Sequence, residues 1–233
     1  MAAEASSTPK TEGSSGAPIA TPNTSPASVE ATAVPEHGVP LREYRITHAS
    51  KHRDYLLHMS TPTSSNPVPT HYVGNSNAIG KPAVKLRLGD TKEGRLLGVA
   101  IFVPLSNNID IGFGEDPENL STTTWERLEN LSTSANTYRL KVGLGDSSRT
   151  VLWKRTHSPE GSSEASIFSK MSMQHLKLVD EDTGGLLATY TNHIGLSRKN
   201  KGTIRIWDDT GDESWIQTVL LTALAIIERN GRM

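Results

Sequence analysis

Residues 212–229 read D-E-S-W-I-Q-T-V-L-L-T-A-L-A-I-I-E-R, and the predicted fold is derived from this apolar segment. Its apolar side chains cover almost the whole circumference of a helix, and Thr218 and Thr222 form the one narrow polar line. A helix that is apolar nearly all round is buried in protein or in lipid. The run 215–227 spans only about 20 Å, which is shorter than a membrane-spanning helix. We therefore predict a buried helix over 213–229. Its predicted core side chains are Trp215, Val219, Leu220, Ala223, Leu224 and Ile227.

Both ends of the stretch carry helix-end signals. Asp212 is a good N-cap, and Glu213 adds negative charge to the first turn, where the helix dipole favours it. Arg229 falls in the last turn, and Gly231 is predicted to end the helix in the left-handed conformation.

The segments upstream of the helix alternate between apolar and polar residues, which is typical of half-buried strands. Turn residues separate these segments roughly every eight to twelve positions, and such spacing favours a closed all-β barrel. An apolar helix would fill the barrel and remove an interior void. The predicted strands are 53–59, 70–73, 83–88, 95–103, 107–113, 137–144, 150–157, 166–171, 174–180, 186–191 and 203–207.

One segment, 116–131, is ambiguous. Thr123 and Glu126 have the spacing of a capping box, and Trp125, Leu128 and Leu131 recur at helical spacing. We predict a short helix there.

The chain has two parts by composition. Residues 1–40 are rich in Ser, Thr, Pro and Ala and are too poor in bulky apolar side chains to form a core, so we expect a disordered tail. Thr8-Pro9, Thr21-Pro22 and Ser25-Pro26 match proline-directed phosphorylation sites, although a plain solvated tail also explains them. Residues 41–233 are expected to form the barrel domain with its central helix.

Charge and composition limit the classes of function. The formal net charge is −1, so we expect no nucleic-acid partner. The chain has no cysteine, which excludes disulfides and thiolate chemistry. The first residues show no signal-peptide pattern, so we expect an intracellular protein that is cytoplasmic, nuclear or peripheral to a membrane. No nucleophile elbow, P-loop or dinucleotide motif is present, and we expect neither a catalytic residue nor a cofactor.

The most basic run is a predicted turn at 197–202. Cations in a turn can contact anionic lipid headgroups, but solvation of the barrel surface is the commoner role for such charges. The acids Asp180, Glu181, Asp182, Asp208 and Asp209 would partly neutralise them, and turn formation explains these acids better than metal binding or acid–base chemistry. The candidate lipid-contacting residues are Arg198, Lys199, Lys201, Arg205, Lys154 and Arg155, with Arg149 and His157 as further cations.

The histidines at 48, 52 and 58 are the other cluster of interest. His48 and His52 are four residues apart, as in a helical metal site, but the segment lacks helical periodicity and an accompanying glutamate. We expect no metal site.

Three segments carry a resemblance to a known family: T-V-L-W-K-R-T-H at 150–157, L-K-L-V-D-E-D-T-G at 176–184, and W-I-Q-T-V-L-L-T-A-L-A-I-I-E-R at 215–229. They resemble the tubby C-terminal-like superfamily, which includes tubby domains, phospholipid scramblases and LURP-one-related proteins. They are most similar to fungal proteins with a tubby-C-like domain. The resemblance implies a barrel of about twelve antiparallel strands around a hydrophobic C-terminal helix. It also implies phosphoinositide binding through basic residues in tubby domains, although those residues do not align with this chain, and the scramblase calcium segment has no counterpart.

These observations lead to two functional hypotheses. The first is a non-enzymatic intracellular β-barrel module that binds an anionic phospholipid surface, such as a phosphoinositide. The alternative is a protein-interaction or scaffold domain whose N-terminal tail is regulated. The sequence does not determine the oligomeric state.

Overall fold

The computed structural model describes residues 38–49, 53–60, 67–78, 81–114, 119, 121–132, 137–143, 148–157, 175–193, 199–208 and 212–232. The predicted tail at 1–40 lies almost wholly outside these residues, and so does the predicted strand 166–171. The strands are β1 (Arg42–His48), β2 (Tyr55–Ser60), β3 (Pro69–Asn75), β4 (Val84–Leu88), β5 (Leu96–Phe102), β6 (Ile109–Phe113), β7 (Thr124–Asn130), β8 (Thr137–Val142), β9 (Arg149–Thr156), β10 (His175–Asp180), β11 (Leu186–Asn192) and β12 (Asn200–Ile206). One helix, α1 (Glu213–Asn230), follows them in the described part of the chain.

The strands form a closed antiparallel barrel. Each strand pairs with its neighbours in the chain, and β12 pairs with β1 to close the sheet. Alternate side chains point into the barrel, as the period of two predicts. On β1, for example, Tyr44 and Ile46 are buried while Glu43 and Arg45 lie on the outer side. The predicted mainly β architecture is confirmed.

Helix α1 lies inside the barrel. Leu220, Leu224 and the intervening residues are buried on every side of the helix. The Tyr55 hydroxyl of β2 donates to the Glu228 carboxylate at 3.2 Å, and the Trp153 indole of β9 donates to Thr222 at 2.9 Å. The backbone of α1 runs closest to β4 and β5. Because β2, β5 and β9 are spread around the ring of strands, a helix that contacts all three is enclosed by the sheet.

The predicted core of α1 is confirmed, and so is the start of the helix. The side chain of Asp212 accepts a hydrogen bond from the backbone N–H of Ser214 at 2.8 Å. The predicted left-handed stop is wrong. Gly231 has φ −75° and donates its N–H to the Ile227 carbonyl at 3.0 Å, so the helical hydrogen-bond pattern continues through this residue.

The predicted helix over 116–131 is wrong, because residues 124–130 form strand β7. Leu128 points into the core and is fully buried, while Arg127 and Glu129 project outward. Arg127 forms an ion pair with Asp110 of β6, and Glu129 forms one with Arg139 of β8. Pairing with β6 and β8 therefore outweighs the local helical spacing. Residues 115–118 and 120 lie outside the described residues.

Other strands also differ from the sequence-based expectation. Strand β1 is not among the predicted strands, although its residues 43–47 alternate between outward and buried positions. The predicted turn 197–202 ends earlier, because β12 already begins at Asn200. Lys201 is therefore a strand residue.

Substituting Thr222 with valine is expected to destabilise the fold by about 2 kcal/mol. Thr222 Oγ1 accepts the hydrogen bond of the buried Trp153 indole, and valine keeps the shape but leaves that N–H without a partner. Thr218→Val is the matched control one turn earlier, because the Thr218 hydroxyl only donates to the Ser214 carbonyl. Urea unfolding measures both. Equal destabilisation by the two variants would contradict the role assigned to Thr222.

Candidate functional site

Lysine side chains point outward from β9 and β10. On β9 the buried Val151 and Trp153 face the core, so Lys154 faces away from it. Lys177 of β10 stands directly opposite Lys154 in the strand register. Two like charges directly opposite each other on neighbouring strands destabilise a sheet. An anion bound between them would relieve that repulsion.

The outward cations continue on β12 and β1. Lys201, Thr203 and Arg205 alternate with core-facing residues on β12, and Arg45 stands opposite Thr203 on β1. We call this set the basic arc. Its members are Lys154, Lys177, Lys201, Arg205 and Arg45.

Two charge pairs on the barrel wall outside the basic arc link neighbouring strands. Arg127 lies 2.8 Å from Asp110, and Arg139 lies 2.9 Å from Glu129. In the basic arc, counted over the described residues, Arg205 is the one member with a carboxylate partner, at 2.7 Å from Glu43. The other four members lie on the same side of the barrel without a carboxylate partner among the described residues.

A groove of about 370 Å³ lies within the basic arc, on the outer side of β1 and β12. Arg45, Arg205, His193 and Thr203 line it together with Glu43. We call it the outer groove. Burial lowers the pKa of His193, and the neighbouring Arg205 and Arg45 cations lower it further. His193 Nε2 lies 3.0 Å from the Thr203 hydroxyl. The groove thus combines two guanidinium groups with an imidazole and a hydroxyl, which are the groups that bind phosphate oxygens.

The structure brings together some of the residues predicted to contact lipid. Lys154, Lys201 and Arg205 belong to the basic arc, and Lys199 is exposed just before β12. Arg155 lies two residues after Trp153, so its side chain leaves β9 on the same face of the sheet as the core residues. Its Nε is buried without a hydrogen-bond partner. Its side chain is therefore directed to the interior side of the wall. Arg198 lies outside the described residues.

Arg149, the further cation named from the sequence, is bound to two carboxylates. It contacts Asp180 at 2.5 Å and also forms an ion pair with Asp208. Asp180 Oδ1 accepts from the backbone N–H groups of Asp182 and Thr183 in the turn that follows β10. These contacts fit the turn role proposed for the acids. Asp209 lies outside the described residues.

Stability is expected to fall in acid partly through Asp180. The hydrogen bond from Arg149 and that from the Thr183 backbone lower the pKa of Asp180 to about 2. An unfolded aspartate titrates near ~3.9. A depressed folded-state pKa stabilises the fold above the unfolded value, and this contribution is lost as pH falls from about 4 to about 2. The difference in unfolding free energy between wild type and Asp180→Asn should therefore shrink over that range, and Asp90→Asn in an exposed turn is the control. A difference that stays constant down to pH 2 would contradict this assignment.

The histidines and tryptophans have local partners in the barrel. His58 Nε2 lies 2.9 Å from the Thr47 hydroxyl, and the rings of His48 and Tyr55 are 5.3 Å apart. His52 lies outside the described residues, among which no group of three or more His, Asp or Glu side chains is placed to hold a metal ion. Trp153 lies in the core against α1.

Sequence reasoning missed Arg45, Lys177 and His193. The alternation of 43–47 would have placed Arg45 on the outside of a strand, and L-K-L at 176–178 carries the same signal for Lys177. No local signal indicates that these residues meet, because their proximity depends on the pairing of β12 with β1. His193 follows β11 and is brought into the groove by the same closure.

Comparison with protein-family models, with curated proteins and with solved structures found no match to this chain. The fold defines its class as a closed twelve-stranded antiparallel barrel with a buried C-terminal helix. Among the described residues, no helix combines the length and apolarity needed to cross a membrane.

Proposed function

We propose that the chain is a non-enzymatic binding module for the phosphate groups of anionic lipid headgroups, and that the basic arc is its contact surface. The observation that carries the proposal is the convergence of Arg45, Arg205 and His193 on the outer groove. Arginine binds phosphate with two parallel hydrogen bonds, and charge-assisted bonds of this kind are the strongest that side chains form. Kinship with the tubby-like superfamily is part of the same proposal, and the closed barrel around a C-terminal helix supports it.

The size and position of the basic arc suit a membrane surface. Lys154, Lys177, Arg205 and Glu43 fall in one row across neighbouring strands, and the side chains of the row cover the fully buried Thr189 between Lys177 and Arg205. Four strand spacings of ~4.8 Å make this row roughly 19 Å wide. Each lysine or arginine near an anionic membrane contributes about 1 kcal/mol to binding. In this proposal the row rests on the membrane while the outer groove receives a single headgroup phosphate.

The proposal predicts binding that depends on charge. Sedimentation with phosphatidylcholine vesicles, with and without a phosphoinositide, should show binding to the anionic vesicles alone, and binding should weaken at high salt. Arg45→Glu should lower the affinity roughly tenfold or more, because it removes one favourable charge and adds an unfavourable one.

Lys141→Glu is the matched control for Arg45→Glu. Lys141 is an exposed strand residue on β8, away from the basic arc, and its substitution changes the net charge by the same amount. It should leave the affinity close to that of the wild type. Equal binding to neutral and anionic vesicles, or equal loss in the two variants, would eliminate the lipid-binding proposal.

A further inference from the structure

A second cavity lies at the end of the barrel where α1 begins. Its volume is about 620 Å³, which is in the range of small-molecule sites. Its apolar walls come from β5, β6, β8 and α1, through Leu97, Phe113, Val142 and Trp215. We call it the mouth cavity. Its described lining residues are all different from those of the outer groove.

Strand pairing in the barrel wall is interrupted beside the mouth cavity. Strands β7 and β8 pair at only two positions, Glu129 with Arg139 and Asn130 with Tyr138. Towards Glu126 on β7 the pairing stops, and Glu126 lines both the mouth cavity and a smaller groove of about 470 Å³ on the outer side of β7 and β8. This carboxylate therefore stands at a break in the wall, between the interior and the outside.

Within the part of the chain that the structure describes, no cation or hydrogen-bond donor compensates the charge of Glu126 there. Its Oε2 is buried and accepts no hydrogen bond, and burial raises the pKa of its carboxyl group. Among the described residues, Arg149 is the one cation that lines the mouth cavity, and it is bound to Asp180 and Asp208. A buried carboxylate oxygen without a donor is costly, and a donor supplied by a ligand would remove that cost.

The other charged groups around the mouth cavity also favour the binding of a positively charged ligand. Asp212 lines it and caps α1 through Ser214, and the guanidinium of Arg149 lies 5.7 Å from the centre of the Trp215 ring. Arg149 is outnumbered by the carboxylates of Asp180, Asp208, Asp212 and Glu126. The positive end of the α1 dipole opposes this excess only in part, since Asp212 already occupies it.

We propose that the mouth cavity binds a small amphiphilic amine, with its ammonium group donating to the Glu126 carboxylate and its apolar body packed against Phe113, Val142 and Trp215. Binding requires ionised Glu126, so the affinity for the amine falls as the solution becomes acidic enough to protonate this carboxyl group. Arg149 stays bound to its two carboxylates. No bond is made or broken.

The test uses the full chain and three probes of similar length and different charge: n-hexylammonium, n-hexanol and hexanoate. Isothermal titration should show n-hexylammonium binding at least tenfold more tightly than the other two. Glu126→Gln keeps the shape of the side chain, removes its charge and should lower the affinity for n-hexylammonium at least tenfold. Glu129→Gln, three residues along β7 on the outer face, is the control and should bind as the wild type does.

Chemical-shift changes locate the bound probe. The proposal requires that n-hexylammonium perturb the indole N–H resonance of Trp215 and leave that of Trp207 unchanged. Three results would overturn it: no binding of n-hexylammonium at millimolar concentration, hexanol binding as tightly as the ammonium, or unchanged affinity in Glu126→Gln. Thermal unfolding of Glu126→Gln verifies that any loss of affinity occurs in a folded protein.

Discussion

Replacing Leu224 with aspartate is expected to abolish the folded barrel. Leu224 is 1% exposed and lies on α1, which is surrounded by the core-facing side chains of the strands. Loss of the leucine packing alone costs about 2–5 kcal/mol, and an unpaired buried carboxylate adds several more. The sum approaches the whole stability of a typical domain, which is ~5–15 kcal/mol. We expect insoluble protein, or a soluble fraction without cooperative unfolding.

Two further variants make this result interpretable. Leu224→Ala removes the same packing without adding charge, and it should fold with about 2–5 kcal/mol less stability. Lys199→Glu adds negative charge at an exposed residue before β12 and should leave the unfolding transition unchanged. Recovery of soluble Leu224→Asp protein with a cooperative unfolding transition would contradict the position assigned to α1.

The second large effect is expected at Gly98, where β5 approaches α1. A Cβ at this position would lie 2.8 Å from Leu221 Cδ2 and 3.1 Å from the Gly112 carbonyl oxygen. Valine therefore has no space between the wall and the helix, and Gly98→Val should destabilise the fold by about 3 kcal/mol. The free energy of urea unfolding measures this loss.

A double-mutant cycle identifies the cause of the Gly98→Val effect. Leu221→Ala alone should cost about 3 kcal/mol, because it empties space in the core. Combined with Gly98→Val it should cost at least ~1 kcal/mol less than the sum, since the valine enters the vacated space. Leu176→Ala on β10 is the control, and its effect should simply add to that of Gly98→Val. Full additivity with Leu221→Ala would contradict the contact between β5 and α1.

The sequence predicts the helix and most strands for local reasons. The all-round apolarity of 215–227 and the N-cap at Asp212 are properties of one segment, so α1 could be predicted within a residue at each end. Strand β7 could not be predicted from its own sequence, because Trp125 and Leu128 recur at a spacing that is typical of a helix. What makes 124–130 a strand is its pairing with β6 and β8, which local periodicity does not encode.

In the candidate site, too, local sequence predicts the direction of single side chains, whereas strand pairing determines which of them meet. The outward direction of Lys154 could be read from the alternation around it, but its position opposite Lys177 depends on strand register. The outer groove forms only because β12 returns to β1, which brings Arg205 next to residues about 160 positions away in the chain. Pairing across that distance is a property of barrel closure, and no short motif signals it.

Enclosure of α1 by the barrel is tested most directly by thiol labelling, because the chain has no cysteine of its own. Ala223 and Ala225 are fully buried and project from nearly opposite faces of the helix, about 200° apart. In Ala223→Cys and Ala225→Cys, made separately, each thiol should react with a maleimide only at the rate of global unfolding, whereas the thiol of Lys141→Cys should react at once. Fast labelling at either alanine position in the native protein would show that one face of α1 is open to solvent, and the helix would then not be enclosed by the barrel.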